Sequence, residues 1–151
     1  MEPRWLAVAY QELRLGVREI PGPQHTGRIL EYHKATTLKA TTDEVPWCAS
    51  FVGWCLRQAD VKPSGSAAAR SYLDWGVGVS VVNPPIGAVV VLKRGGAGQP
   101  GPEVRDAQGH VSFFWGHGEP GQLVCLGGNQ GDKVSLACYP VGRLLGIRWP
   151  T

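Results

Sequence analysis

Apolar residues recur at helical spacing in the first half of the chain and at alternating spacing in the second half. Helical spacing predicts helices over residues 3–15, which Gly16 ends, and over 48–59, with shorter helices after Thr26 and Ser66. Alternation predicts strands over 79–82, 87–93, 110–115, 122–126, 133–139 and 144–148. Helices followed by strands indicate an α+β fold, in which N-terminal helices pack on an antiparallel sheet.

Length and charge narrow the function classes. The chain has 151 residues, which fits one domain over 1–151, and we expect a monomer. A net charge of +3 is too weak to indicate a nucleic-acid partner. No apolar run reaches the length of a membrane span, so we expect no stable membrane association. The first residues lack the pattern of a signal peptide, so we expect synthesis in the cytoplasm.

The cysteines and histidines are scattered. None of the four cysteines forms a CxxC pair, which argues against a structural zinc site, and we expect neither metal nor cofactor. Cys125 and Cys138 lie on two strands joined by one loop. They could be two buried thiols or a cross-strand disulfide. Cys48 and Cys55 are two helical turns apart, about 10 Å, which is beyond the reach of a disulfide.

Cys48 stands at the start of the predicted helix 48–59, in "DEVPWCASFVGWC". Cysteine is a poor N-cap, so helix stability does not explain its position. The N–H groups and partial positive charge of a helix start favour a thiolate and can hold an oxyanion. Cys48 is therefore a candidate nucleophile, whereas Cys55, deeper among apolar neighbours, is predicted to be a buried hydrophobe.

A nucleophilic cysteine needs a base and a group that orients it. His110 begins a predicted strand, where its side chain shares a face with Ser112 and Phe114. Asn129, in the loop after the next strand, is the candidate orienting residue, and its side-chain oxygen would accept a hydrogen bond from His110. The alternatives are a polar residue at a strand end for His110 and a turn residue for Asn129.

Three segments, "DEVPWCASFVGWC", "GHVSFF" and "LGGNQGD", resemble the landmarks of the CHAP and NlpC-type cysteine peptidases. "LGVREIPG" and "LLGIRWP" extend the similarity to a small group of phage and bacterial proteins in that superfamily, over nearly the whole chain. The separations are also similar, with 62 residues from Cys48 to His110 and 19 from His110 to Asn129. The resemblance implies a papain-like fold with Cys48 as nucleophile, His110 as base and Asn129 as orienting residue.

The third member of this triad leaves alternatives open. Many CHAP domains have an acidic residue two positions before the asparagine, where this chain has Gly127. Four other polar residues could assist the site, namely Asp43, Glu44, Gln130 and Asp132. Trp47 could wall a substrate groove or be structural, and Glu19 is expected to brace a loop.

The resemblance implies a hydrolase that cleaves an amide bond of peptidoglycan, as an endopeptidase or an N-acetylmuramoyl-L-alanine amidase. Such an enzyme would act on the cell wall in the periplasm, as a phage endolysin or as a delivered antibacterial toxin with an immunity protein as partner. Two other functions use the same fold. One is a non-catalytic wall-binding or virion-assembly module, and the other is a protein deamidase or transglutaminase-like thiol enzyme.

Overall fold

The structure is a computed structural model that describes residues 2–20, 27–37, 46–95 and 98–151. The helices precede nearly the whole sheet along the chain, as the sequence predicts. The elements are helices α1 (Arg4–Leu15), α2 (Gly27–His33) and α3 (Cys48–Gln58), a 3-10 helix (Ala69–Asp74), strands β1 (Val77–Gly78), β2 (Val89–Lys93), β3 (Gly109–His117), β4 (Gln122–Gly127) and β5 (Ser135–Pro140), a 3-10 helix (Val141–Arg143) and strand β6 (Leu144–Trp149).

The two long predicted helices are confirmed. α1 ends at Gly16, whose φ of 71° is in the left-handed region that glycine tolerates and whose N–H donates to Leu13 O. α3 differs from the prediction in one respect, because every residue from Cys48 to Leu56 is buried rather than one face only. The reason is that α1, α2 and the sheet all pack against it. No helix among the described ranges is long and apolar enough to cross a membrane.

The six strands form one antiparallel sheet in the order β1-β6-β2-β3-β4-β5. Five strands lie where the alternation predicts them, within a few residues. The first is displaced, because residues 77–78 pair with the end of β6, whereas the predicted segment 79–82 is outside the sheet. Gly76 explains the position, since its φ is 61° and a Cβ there would lie 2.2 Å from Trp149 O. The chain can turn into the sheet at this close approach only with glycine.

The sheet must curl, because its connections are short. In a flat sheet, β5 and β6 would lie four strand spacings apart, about 19 Å. Only the 3-10 helix Val141–Arg143 joins them, and four fully extended Cα–Cα steps reach about 15 Å. Arg143 ties this connection to the end of β2, since its Nε and Nη2 donate to Lys93 O at 3.0 and 2.8 Å.

Each face of the sheet has its own core. Val111 and Phe113 of β3 pack with the helices, whereas Phe114 packs in a second cluster with Leu92. His110 pairs with Leu92 across β2 and β3, so it belongs to this second face. The predicted alternation along β3 is therefore confirmed. Because His110 is the second residue of the strand, it lies at the end of β3 that is near the start of α3, where Gly109 and Cys48 line one cavity.

Candidate active site

Cys48 is the first residue of α3, and only 4% of its surface is exposed. Trp47 holds the N-cap position without a side-chain capping bond. At this end of the helix, Phe51 N–H donates to Trp47 O at 2.9 Å. The N–H groups of the first helical turn have no acceptor within a helix, as at any helix start, so they are available to an anion beside Cys48.

Cys48 and His110 are neighbours at this point, and each side chain shifts the pKa of the other. Burial disfavours the charged form of both groups. The interaction between the two groups outweighs burial, so the pKa of the Cys48 thiol lies below its ordinary value and the pKa of His110 above its own. The nearby backbone N–H of Val111 lowers the Cys48 pKa further. The pair therefore favours thiolate and imidazolium.

Gln130 holds the other side of the imidazole. Its Oε1 lies 2.9 Å from His110 Nε2 and accepts from Ser112 Oγ at 2.8 Å. Its Nε2 donates to Ser135 O at 2.7 Å and to Cys125 O at 3.3 Å. The Gln130 side chain is only 6% exposed, and all these contacts hold it in one orientation.

These contacts also fix the proton on His110. Backbone carbonyls only accept, so the NH₂ group of Gln130 must face them and Oε1 must face the imidazole. An oxygen acceptor requires that His110 Nε2 carries a hydrogen. Nδ1 is then the nitrogen left for Cys48, where it can take the thiol proton.

The predicted hydrogen bond between His110 and Asn129 is wrong, because Gln130 fills that place. Asn129 is half-buried, with a φ of 58°. Asparagine adopts this left-handed conformation more readily than most residues, which is the chemistry of a turn. The structure thus supports the alternative role for Asn129, that of a turn residue. Its backbone conformation directs the side chain of Gln130 inward.

Gly127 leaves the space that Gln130 occupies. A Cβ at this position would lie 2.3 Å from Ser112 Oγ and 2.7 Å from Gln130 Oε1. Any larger side chain, including the acidic residue that many CHAP domains have at this position, would have to displace Ser112 and Gln130. Glycine at 127 and glutamine at 130 therefore form a matched combination.

Tyr139 is a second neighbour of His110 that the sequence did not single out. Its hydroxyl lies 3.1 Å from His110 Nε2, and the two ring centroids are 5.4 Å apart. The guanidinium of Arg143 lies over the tyrosine ring, 5.2 Å from its centroid. Tyr139 on β5 reaches His110 on β3, two strands away, on the face that the curled sheet encloses.

Trp47 is completely buried and offers no surface to a substrate, so the groove wall predicted for it is not supported. Its ring stacks on Tyr32, and Gly128 packs against it so closely that a Cβ would lie 2.5 Å from the indole. Its Nε1 donates to Glu19 Oε1 at 2.7 Å. Glu19, expected to brace a loop, thus braces the residue that precedes Cys48.

The segment around Glu19 also supports the loop that carries Gln130. Glu19 N–H donates to Asp132 O at 2.8 Å, and Val134 N–H donates to Val17 O at 2.9 Å. Of the other residues considered as helpers, Asp132 serves here through its backbone. Asp43 and Glu44 lie outside the described residues.

A cavity of about 250 Å³ opens beside Cys48. Its lining includes the small side chains of residues 67–69 and two exposed charged residues, Arg94 and Asp106. Arg70, completely buried, fixes the wall formed by residues 100–108. Its guanidinium donates to the backbone oxygens of Pro100, Gly101, Val104 and Gln108 at 2.6–3.0 Å.

The remaining cysteines are free thiols. Cys55 is fully buried, and burial raises its pKa well above the ordinary value, as expected of an inert thiol. Cys125 is buried and pairs with Ala137, while Cys138 is exposed and pairs with Val124. Side chains at successive strand positions point to opposite faces, so Cys125 and Cys138 do not face each other.

Comparison with protein-family models and with curated proteins finds no match for this chain. No cluster of three or more His, Cys, Asp or Glu side chains in the described residues could hold a metal ion.

Proposed function

We propose that the chain is a papain-like cysteine hydrolase that cleaves an amide bond of peptidoglycan. One observation carries the proposal: a cysteine at a helix start contacts a histidine whose far nitrogen is held by a buried amide oxygen. This is the arrangement that thiol acyl-transfer chemistry requires. Peptidoglycan as the substrate rests on the resemblance of the motifs around Cys48, His110 and Asn129 to wall-cleaving cysteine peptidases.

The first half of the reaction is acylation. The Cys48 thiolate attacks the amide carbonyl carbon, a C–S bond forms, and the carbonyl oxygen becomes an oxyanion. The N–H groups at the start of α3 stabilise this oxyanion. When the intermediate collapses, the C–N bond breaks and His110 Nδ1 donates its proton to the leaving amine. A thioester on Cys48 and a neutral imidazole remain.

Deacylation reverses these roles. Neutral His110 removes a proton from water through Nδ1 as the water oxygen attacks the thioester carbonyl. The C–S bond then breaks, the acid product leaves, and the thiolate–imidazolium pair is restored. Gln130 accepts a hydrogen bond from Nε2–H in every step, so the ring keeps its orientation while Nδ1 exchanges the proton.

Digestion of purified peptidoglycan sacculi tests the proposal. The wild type should release soluble muropeptides, and mass spectrometry of new amine and carboxyl ends identifies the bond. Cys48→Ala should release none while it retains the melting temperature of the wild type. A wild type that binds sacculi without releasing fragments would instead support the non-catalytic module. Release of ammonia from glutamine residues of a protein, with intact sacculi, would support the deamidase.

A further inference from the structure

Glu19 lies between the two halves of the candidate active site. Its Oε1 accepts a hydrogen bond from Trp47 Nε1 at 2.7 Å, and Trp47 is the residue before Cys48. Its backbone N–H donates to Asp132 O at 2.8 Å, in the loop that carries Gln130. One residue therefore contacts both the start of α3, which carries the nucleophile, and the turn that holds the imidazole.

The contact with the loop is made by the backbone. Next to Glu19, Arg18 and Lys133 form an isolated antiparallel bridge. The carbonyl oxygen of Lys133 accepts from Gln130 N–H at 3.0 Å, and Ser135 Oγ donates to Gln130 O at 2.8 Å. The backbone of Gln130 is thereby held at a fixed place relative to the backbone of Glu19.

The contact with the helix is made by the Glu19 carboxylate. Trp47 is completely buried, with Tyr32 stacked on its ring and Gly128 packed against it. Contacts with the faces of a flat ring still let it slide in its own plane. The hydrogen bond at Nε1, on the edge of the ring, opposes that movement. Because Cys48 follows Trp47 directly, a shift of this ring would move the sulfur.

We propose that Glu19 is a positioning residue, which sets the Cys48 sulfur and the His110 imidazole at the separation that their reaction needs. The inference rests on the proposed hydrolysis for its effect on turnover, whereas its effect on the reactivity of Cys48 does not. A reacting group that is misplaced by about 1 Å loses about a hundredfold in rate. A brace that only stabilised the fold would leave both groups in place in every folded molecule.

The pH dependence of Cys48 alkylation by iodoacetamide tests the inference without peptidoglycan. Burial alone would raise the pKa of the Cys48 thiol, and His110 brings it below its ordinary value. Glu19→Ala should therefore raise this pKa, with Cys48 followed by peptide mass spectrometry and the exposed Cys138 as internal reference. It should also slow fragment release from sacculi by about ten- to a hundredfold. Glu19→Gln keeps an oxygen for Trp47 Nε1 and should retain both properties.

Two tryptophans provide matched variants. Trp47→Phe removes the other partner of the bond, so it should reproduce the effect of Glu19→Ala, and the double variant should shift the Cys48 pKa no further than either single change. Trp5→Phe removes an equivalent bond, from Trp5 Nε1 to Gly87 O at 2.7 Å, beyond the far end of β2. It should lower the melting temperature and leave the Cys48 pKa unchanged.

The outcomes separate the two proposals. An unchanged Cys48 pKa in Glu19→Ala would make Glu19 a structural brace and overturn the positioning role. An equal shift in Glu19→Gln, or additive shifts from Glu19→Ala and Trp47→Phe, would also overturn it, because the effect would not pass through the hydrogen bond. If Glu19→Ala does not fold, Trp47→Phe and Glu19→Gln decide. A wild type that releases nothing from sacculi, with a Cys48 pKa that depends on Glu19, overturns the hydrolase and not the positioning role.

Discussion

Replacement of Gln130 by alanine is the sharpest test of the site, because a neighbour provides the control. The change removes the oxygen that holds His110 Nε2 at 2.9 Å. A hydrogen bond to a charged group contributes about 1.5–3 kcal/mol, so kcat/KM should fall about ten- to a hundredfold. The carbonyls of Ser135 and Cys125 also lose their donor. Unpaired buried groups cost about 1–3 kcal/mol each, and the melting temperature should fall by several degrees.

The pH profile separates loss of orientation from loss of stability. The reactive pair needs Cys48 deprotonated and His110 protonated, so activity rises with pH through the first pKa and falls through the second. Burial lowers the His110 pKa and Cys48 raises it; the hydrogen bond that Gln130 Oε1 accepts from His110 raises it further. Gln130→Ala should therefore lower that pKa and move the alkaline limb to lower pH, measured as kcat/KM per folded molecule.

Asn129→Ala is the matched control. Alanine at a φ of 58° lacks the tolerance of asparagine for this conformation, so we expect a loss of about 1 kcal/mol in the free energy of unfolding. Turnover per folded molecule should stay near that of the wild type, and Asn129→Gly should regain most of the stability. If Asn129→Ala loses turnover and Gln130→Ala keeps it, the assignment of the orienting role to Gln130 is refuted.

Four further substitutions probe the site and its surroundings. Cys48→Ala should abolish hydrolysis of sacculi. Cys55→Ala should keep turnover and lose about 1 kcal/mol of stability, measured by thermal unfolding, because it leaves a small cavity. Equal activity of the two variants would contradict this. Gly127→Ala places a Cβ 2.7 Å from Gln130 Oε1, so both turnover and melting temperature should fall, by about 1–3 kcal/mol in stability, and an unaltered variant would show that the space is not needed. Tyr139→Phe removes a hydroxyl 3.1 Å from the same imidazole nitrogen but keeps the ring, so kcat/KM should fall by up to about tenfold at an unchanged melting temperature. A drop in melting temperature alone would make this tyrosine structural.

Much of the fold follows from local pattern. The helical spacing over 48–59 and the alternation along β3 are strong signals because each element is buried. Cys48 and His110 could be paired because one begins a helix and the other begins a strand. Their convergence also needs the start of the helix to reach the end of β3, because the His110 side chain belongs to the face of the sheet away from the helices.

The residue that orients His110 could not be identified from the sequence, because adjacent residues of a turn differ in the direction in which their side chains point. Whether Asn129 or Gln130 points inward depends on one backbone angle, the positive φ of Asn129. The Asn-Gln-Gly order hints at a turn, since asparagine tolerates that angle, but does not choose the inward side chain. The role of Trp47 stayed open between a groove wall and a structural residue for a different reason, because its burial depends on Glu19 and Gly128, which are distant in sequence.

The buried guanidinium of Arg70 changes how the glycine- and proline-rich segment before His110 should be regarded. Such a composition suggests a loose chain, and ordering a residue costs about 1–2 kcal/mol of conformational entropy. Four backbone oxygens of residues 100–108 accept hydrogen bonds from the Arg70 side chain. The loss of conformational entropy in this segment is therefore offset when the protein folds. The wall that carries Asp106 is therefore preorganised, and a substrate would meet a cavity whose shape already exists.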